Sequence, residues 1–249
     1  ETVYETVETQ WGSRIVTQQV TRNVSDYAME NYGIEVVKVQ DINDVLLYYT
    51  GHEIKPKTST QNISTENYIN SMKPLAANLL ENANETLQNA TEAFSSTNIP
   101  NQFPNYQQNR VNDYLTGAND AYTSSKNWFE DGIYYTSTSK SFQSLINANF
   151  VLLVCEYYST ENRAEFLQNT INQAQENFEY QSSIAKNASV SGAITLQCVG
   201  AAQKRATEAK EYLSSAQTAI KKEDVFNALY QIAFANQRSE SIGWWLRLS

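Results

Sequence analysis

Two cysteines, Cys155 and Cys198, are the side chains in this sequence best suited to covalent chemistry. Each falls within an apolar helical pattern, on two predicted helices that can be neighbours in an antiparallel bundle. In an oxidising compartment the pair would form one disulfide, closing a loop of about 43 residues. The alternative is two free buried thiols, the usual state of cysteines on apolar helix faces.

The other polar residues give no pattern that predicts catalysis. His52 is the single histidine, and no serine or cysteine in a nucleophile motif accompanies it. Two cysteines with one distant histidine do not make a metal site. Glu130, Asp131, Glu161 and Glu165 lie near the ends of predicted helices, where solvated carboxylates are expected. The sequence therefore predicts no catalytic residue, no metal ligand and no cofactor site.

Aromatic side chains are a third possible source of binding chemistry. Sixteen tyrosines and four tryptophans are present, and several occur in adjacent pairs. Paired aromatics line carbohydrate and peptide grooves, but they more often form half-buried bundle edges with the hydroxyl in water. A terminal tryptophan pair can also lie near a membrane interface if a spanning helix follows it. The pairs are Tyr134-Tyr135, Tyr157-Tyr158 and Trp244-Trp245.

Composition narrows the class of partner and the compartment. The formal net charge is −9 and Lys plus Arg total only 18, so the chain lacks the clustered cations that nucleic-acid binding requires. Charged residues are only 18% of the chain, and Asn, Ser, Thr, Gln and Tyr are abundant, as in many exported and surface proteins. We therefore expect an extracellular or cell-surface location.

Export would make five Asn-x-Ser/Thr sequons available for glycosylation, although random order predicts about as many. No apolar run reaches the roughly 18 to 20 residues that cross a bilayer, so we predict no transmembrane segment in this chain. The first residues, ETVYETVE, are typical of the inside of a domain, and we interpret the chain as a processed or excised piece of a longer protein. The sequons start at Asn23, Asn62, Asn84, Asn89 and Asn187.

Apolar spacing predicts a mainly α protein: a small α+β N-terminal segment, residues 1–55, followed by a linker at 56–65 and an irregular antiparallel helical bundle at 66–249. The third predicted helix is apolar nearly all round, which marks it as the central helix. No 34-residue repeat is present, although the last two helices resemble one tetratricopeptide-type hairpin. The six predicted helices are Asn67–Phe94, Gln107–Tyr134, Ser139–Tyr158, Glu161–Lys186, Ser191–Lys222 and Asp224–Leu248.

The N-terminal segment has its own local pattern. Two β-prone runs around Trp11-Gly12-Ser13 predict a hairpin, and a short helix is expected at Ser25–Asn31. The stretch Tyr32–Gly51, YGIEVVKVQDINDVLLYYTG, then predicts a β-branched strand at Ile34–Val39 and a helix capped by Asp41 that stops at Gly51. Fifty residues of this kind expose a sheet edge that they cannot cover themselves.

This stretch resembles the closing segment of the proteolytic domain in archaeal Lon-like serine proteases. In that family a GI-x-V-x-x-V strand, here starting at Gly33, leads into a helix ending in TG, after an upstream helix like Ser25–Ala28. The resemblance covers about residues 1–55 and implies peptide hydrolysis by a Ser/Lys dyad in the whole protein. Both dyad residues lie upstream of this segment in the family, so no residue of this chain inherits them.

Two functions follow as hypotheses. In the first, the chain is the C-terminal, non-catalytic portion of an exported Lon-like serine protease, and its helical domain serves protein interaction or substrate positioning; a membrane anchor can lie elsewhere in the parent. In the second, it is a non-enzymatic archaeal cell-surface or scaffold protein with a self-associating bundle. The expected partner is the upstream peptidase-domain segment in the first case and a second copy, forming a homo-oligomer, in the second.

Overall fold

The computed structural model describes residues 2–9, 12–19, 23–52, 65–102 and 106–248. The chain separates into two compact units, Glu1–Ile63 and Ser64–Ser249. The predicted linker at 56–65, apart from Thr65, lies outside the described residues.

The N-terminal unit contains two strands and two short helices among its described residues. Strand β1 (Thr2–Thr9) pairs antiparallel with β2 (Gly12–Gln19), with Thr2 opposite Gln19 and Thr9 opposite Gly12. Helix α1 spans Val24–Tyr32 and helix α2 spans Ile42–Thr50. The predicted helices are therefore present in this unit.

Local capping sets the ends of these two helices. The Asp41 side chain accepts hydrogen bonds from the backbone N of Asn43 (2.7 Å) and Asp44 (3.2 Å) at the start of α2. Gly33 (φ 65°) ends α1 and Gly51 (φ 70°) ends α2, both in the left-handed conformation that glycine adopts without strain. The predicted N-cap and stop signals of α2 are confirmed.

The strand predicted at Ile34–Val39 is absent, and this prediction was wrong. Residues 33–39 have no regular secondary structure and lie between α1 and α2. The Ser25 hydroxyl donates to the Val36 carbonyl oxygen at 3.2 Å, and the Tyr48 hydroxyl donates to a Glu35 carboxylate oxygen at 3.1 Å. A β-branched sequence favours extended backbone, but a strand forms only where a second strand supplies the ladder. The predicted α+β arrangement is therefore not supported.

The second unit is a helical bundle, which confirms the mainly α class. Helix α3 shows how the sequence directs it: six residues along one face recur at spacings of three and four and are buried, with Pro74 inside the helix. These buried residues are Met72, Ala76, Leu79, Ala83, Leu87 and Ala90. The six helices described in this unit are α3 (Glu66–Ser96), α4 (Gln107–Glu130), α5 (Tyr134–Ser159), α6 (Arg163–Asn187), α7 (Ala193–Lys221) and α8 (Val225–Arg247).

These helices form two three-helix groups, which we call the first and second sub-bundles. In the first, α3 and α4 pack on α5 and on each other; in the second, α6 and α7 pack on α8 and on each other. The main contact between the groups is α5 against α8, with a smaller one between α5 and α6. Helix α5 thus contacts helices of both groups, as its apolar surface predicts.

An aromatic cluster joins the two sub-bundles. The Phe150 ring of α5 is fully buried and contacts Tyr114 of α4 at 4.6 Å between ring centroids. It also contacts Phe226 at 4.9 Å and Tyr230 at 5.4 Å, both on α8. All three contacts are edge-to-face, the geometry that aromatic quadrupoles favour. The junction is therefore a packed core.

Helices α4 and α5 also meet through buried serines. The Ser125 Oγ donates to the Ser137 carbonyl oxygen at 2.7 Å and lies 3.0 Å from Ser137 Oγ and 2.7 Å from Ser141 Oγ. Ser144 Oγ donates to the Ala118 carbonyl oxygen at 2.8 Å. These small side chains bring the helices close while satisfying one another's hydrogen bonds.

Candidate functional site

A groove of about 430 Å³ opens where the two sub-bundles meet. Helices α3, α5, α6 and α8 form its walls, and its lining residues recur at helical spacing along α5 and α8. The volume lies within the range of about 300–1,000 Å³ typical of small-molecule sites. Each wall is fixed by the packing of its sub-bundle, so the groove belongs to the fold itself.

Carboxamide side chains dominate the polar lining. None of the half-buried amides of Asn149, Asn177 and Asn236 forms a hydrogen bond with another described residue. Gln237 is only 4% exposed, and its buried Oε1 accepts no hydrogen bond from another residue that the structure describes. More than nine in ten buried polar groups in proteins have a partner, so this acceptor is exceptional. The five carboxamides are Asn82, Asn149, Asn177, Asn236 and Gln237.

Two carboxylates, Glu85 and Glu240, line the groove, and none of the lysines, arginines or histidines among the described residues does so. The Glu240 side chain is exposed to solvent, but the surrounding walls displace much of the water that would stabilise its charge. This desolvation raises the pKa of Glu240 above its usual value. The groove is therefore acidic and rich in hydrogen-bond acceptors.

The apolar part of the lining includes Trp244, which is half-buried. Its ring meets Phe142 edge-to-face at 5.8 Å and packs against Leu79 and Leu145. The groove thus combines a hydrogen-bonding wall with an apolar wall from Leu145, Leu153 and Trp244. Such a lining can bind a neutral ligand that has both polar edges and an apolar face.

A smaller cavity of about 90 Å³ shares Trp244 with the groove and is lined by Arg205 and Arg238, two members of an ion-pair cluster. Arg205 Nη1 is 2.7 Å from Glu208 Oε2, and Arg238 Nε is 3.2 Å from the same oxygen. Arg238 also lies 4.8 Å above the Phe142 ring centroid. Burial, and then the Arg205 charge, lower the pKa of Arg238, while Glu208 opposes this. Both arginines share one carboxylate, so this cluster links α7 and α8.

The two cysteines are buried and free, and the predicted disulfide is not present in the structure. Cys155 lies in the main core on α5, which packs mainly on α3, α4 and α8. Cys198 lies on α7, whose main neighbours are α6 and α8. Their helices therefore belong to different sub-bundles. Burial raises the pKa of both thiols, and a hydrogen bond with Thr97 partly opposes this at Cys155.

The sequons take different positions. Asn23 caps α1, accepting a hydrogen bond from Ser25 N at 3.0 Å. Asn84 and Asn89 lie on α3, half-buried and exposed respectively, and Asn187 is the exposed last residue of α6. Asn62 lies outside the described residues. Glycosylation of these asparagines stays a prediction.

The predicted aromatic pairs are not brought together in one site. Tyr157 and Tyr158 pack against Arg163, whose guanidinium carbon lies 5.5 and 5.1 Å from their ring centroids, and Tyr158 donates a hydrogen bond to Gln107 Oε1. Tyr135 is exposed. Among the pairs, only Trp244 contributes to the groove.

The other sequence candidates are not among the residues that line the groove. His52 is exposed beyond α2, and Glu130 is the exposed last residue of α4, with Asp131 following it. At the start of α6, Glu161 is exposed and Glu165 accepts a hydrogen bond from Asn162 Nδ2 at 2.8 Å. These carboxylates thus lie at helix ends.

Sequence reasoning missed the groove residues because amides and serines do not stand out as catalytic groups. A signal was present: along α8, Ala233, Gln237, Glu240 and Trp244 recur at spacings of three and four, so polar residues interrupt an inward-facing stripe. Helix α5 shows the same pattern, because Asn149 lies between Leu145 and Leu153 at spacings of four. A polar residue at a core-facing helical position is the feature that marks this site.

No helix within the described ranges is long and apolar enough to span a bilayer. In the same part of the chain, no three His, Cys, Asp or Glu side chains gather as a metal site requires. Comparison with protein-family models, curated proteins and solved structures found no match to this chain.

Proposed function

We propose that this chain is the C-terminal, non-catalytic portion of an exported Lon-like serine protease, whose N-terminal unit pairs with the peptidase domain and whose helical unit binds proteins or positions substrate. The supporting observation is the exposed segment at 33–39. Its β-branched side chains are normally found packed in sheets. Here Ile34, Val36, Val37 and Val39 are 56%, 39%, 40% and 42% exposed.

The backbone of this segment supports a need for a partner strand. Ile34 N donates to the Ala28 carbonyl oxygen, and Val36 O accepts from Ser25. Residues 35–39 otherwise form no backbone–backbone hydrogen bond with another described residue. An extended segment with unpaired backbone N–H and C=O groups can pair with an added strand. In this proposal the added strand comes from the upstream part of the peptidase domain that carries the dyad.

The flanking helices also favour an external partner. Neither α1 nor α2 has a buried residue. Leu47 is 45% and Tyr49 is 81% exposed on α2. Covering these side chains would stabilise the unit by about 25 cal/mol per Å² of apolar surface.

A second candidate function, a cell-surface or scaffold protein that self-associates through its bundle, is favoured by a different surface. We call it the α6–α7 patch. Large apolar side chains are exposed there around the connection of the two helices, and contiguous exposed apolar surface often marks a protein contact. Its members are Tyr180 (65% exposed), Ile184 (39%), Val190 (51%), Ile194 (71%) and Leu196 (59%).

Two measurements test both proposals: light scattering after size-exclusion chromatography over a range of concentrations, and limited proteolysis. We expect the chain alone either to associate through its N-terminal unit or to be cleaved within 23–52 while the bundle resists, and to hydrolyse no peptide. Val37→Lys should abolish this association and Ile194→Lys should leave it unchanged. If Ile194→Lys abolishes association and Val37→Lys does not, the chain self-associates through the α6–α7 patch, as the second proposal states. A monomer whose residues 23–52 resist protease as well as the bundle does, or unaided peptide hydrolysis, overturns the first proposal.

A further inference from the structure

The groove between the sub-bundles is not used by the proposed function, and its lining has an unmet need. Gln237 Oε1 is enclosed and, within the described part of the chain, accepts no hydrogen bond. A buried acceptor without a partner destabilises the fold, and replacing Gln237 by an apolar residue of similar size would remove that cost. Gln237 lines the groove, so a rotation of its side chain would present this acceptor to a ligand that donates the missing hydrogen bond.

The chemistry of the walls restricts the charge of such a ligand. Glu85 and Glu240 contribute acceptors, and no cationic side chain lines the groove, so phosphates and carboxylates would meet repulsion. Divalent cations prefer sites with several carboxylates, whereas only two line this groove and most of its polar groups are amides. Anions and divalent cations are therefore both disfavoured, and the amides of the walls favour a ligand built of neutral hydrogen-bonding groups.

The arrangement of donors and acceptors restricts the ligand further. Each carboxamide presents two donors beside an acceptor, and a hydroxyl both donates and accepts, so a row of hydroxyls can satisfy amides on both edges. Asn149 on α5, Asn177 on α6 and Asn236 on α8 supply such groups from three sides. Leu153 and Trp244 supply apolar surface for the C–H face that a sugar ring carries.

We propose that this groove is a saccharide-binding site that takes a neutral sugar of one or two rings, with Gln237 Oε1 accepting from a sugar hydroxyl. The ligand's polar edge faces the amides and its apolar face lies on the wall formed by Leu145, Leu153 and Trp244. This inference does not depend on the proposed protease parent, since every residue that carries it lies in the helical unit.

The test is titration of the chain, produced without N-glycans, with N,N′-diacetylchitobiose, maltose, cellobiose and sucrose. Tryptophan fluorescence and NMR spectra of the side-chain amides report binding. At least one sugar should bind with a Kd of about 1 mM or tighter and shift the amide signals of the groove. Putrescine and calcium chloride serve as cationic probes.

A matched pair of substitutions on α8 assigns the site. Gln237→Leu should weaken sugar binding at least tenfold, because the donor–acceptor pair is lost. Gln231→Leu makes the same change at a residue outside the groove, where Gln231 Nε2 donates to Asn227 Oδ1 at 3.1 Å, and it should leave the Kd unchanged. Asn177→Leu, on the α6 wall, provides a second loss of binding if Gln237→Leu fails to fold.

A free saccharide and a glycan attached to a protein present the same hydroxyl groups and ring faces to the groove. Chitobiose and an asparagine-linked chitobiose glycopeptide should therefore be compared, and tighter binding of the glycopeptide assigns the ligand to a glycan. The proposal is overturned if no sugar perturbs the groove, if binding is equal in Gln237→Leu and Gln231→Leu, or if only putrescine or calcium binds.

Discussion

Replacement of Phe150 by alanine tests whether the two sub-bundles are held together by one aromatic core. Phe150 is fully buried on α5 and contacts Tyr114 of the first sub-bundle. It also contacts Phe226 and Tyr230 of α8, in the second. Tyr114 of α4 also contacts Tyr230 of α8 directly, at 5.2 Å between ring centroids, so Phe150 lies among rings that meet one another. The substitution therefore removes the central member of the junction.

The expected loss follows from the buried surface. Burial of a phenylalanine side chain removes about 200 Å² from water; at about 25 cal/mol per Å², it contributes at most about 5 kcal/mol to the free energy of unfolding. Measured Phe→Ala changes in cores fall at about 3–5 kcal/mol, with the cavity that remains included. Since Phe150 also loses three edge-to-face contacts, we expect a loss of about 4–5 kcal/mol.

Urea unfolding followed by circular dichroism measures this loss. Phe150→Leu keeps most of the volume and should lose less, which keeps the test informative if Phe150→Ala does not fold. Tyr180→Ala is the exposed control, since Tyr180 is 65% exposed, and should change the free energy of unfolding by less than about 1 kcal/mol. A loss below about 1.5 kcal/mol for Phe150→Ala would refute the central role of this ring.

Four further outcomes are expected. Ser125→Ala should lower the free energy of unfolding by about 1–3 kcal/mol, because buried serine hydroxyls lose their partner. Cys155 and Cys198 should react slowly with a thiol reagent in the native state, and both should titrate after denaturation without reductant; no titratable thiol would reinstate the disulfide. The folded pKa of Glu240 is raised, so ionisation costs stability as pH rises through it: Glu240→Gln should melt higher than the wild type at pH 7, a gain that disappears below about pH 4. A fragment of residues 65–249 should show a cooperative melt, and a non-cooperative one would contradict independent folding of the bundle.

Helix positions could be predicted from the sequence because the information for them is local. In α3, the predicted span Asn67–Phe94 compares with Glu66–Ser96 in the structure. The apolar stripe that the spacing predicts there runs from Ile69 to Phe94; it is buried from Met72 to Ala90, whereas Ile69 is 39% exposed and Phe94 is partly buried. The same spacing rule identified the fold class and the helices of the second unit. Capping residues such as Asp41 and Gly51 were equally readable, since their hydrogen bonds join neighbours in sequence.

Features that depend on distant contacts could not be predicted in this way. Ile34–Val39 has the composition of a strand, but whether it forms one depends on a second strand. The pairing of Cys155 with Cys198 depends on which helices are neighbours, and the helical periods do not specify this. The serine contacts between Ser125 and Ser141 also required knowledge that α4 and α5 pack together.

The aromatic junction around Phe150 and the proposed saccharide groove are connected by helix α8, which contributes residues to both. Phe226 and Tyr230, near its start, pack on Phe150 and hold the sub-bundles together. Further along, Gln237 and Glu240 line the groove instead. Packing at the first position maintains the separation of the walls at the second, because packed helices behave as rigid elements over a few turns. The first turns of α8 therefore stabilise the junction, and later turns of the same helix line the proposed binding groove. A substitution at Gln237 should change ligand binding with little loss of stability, and one at Tyr230 should lower stability and weaken binding together.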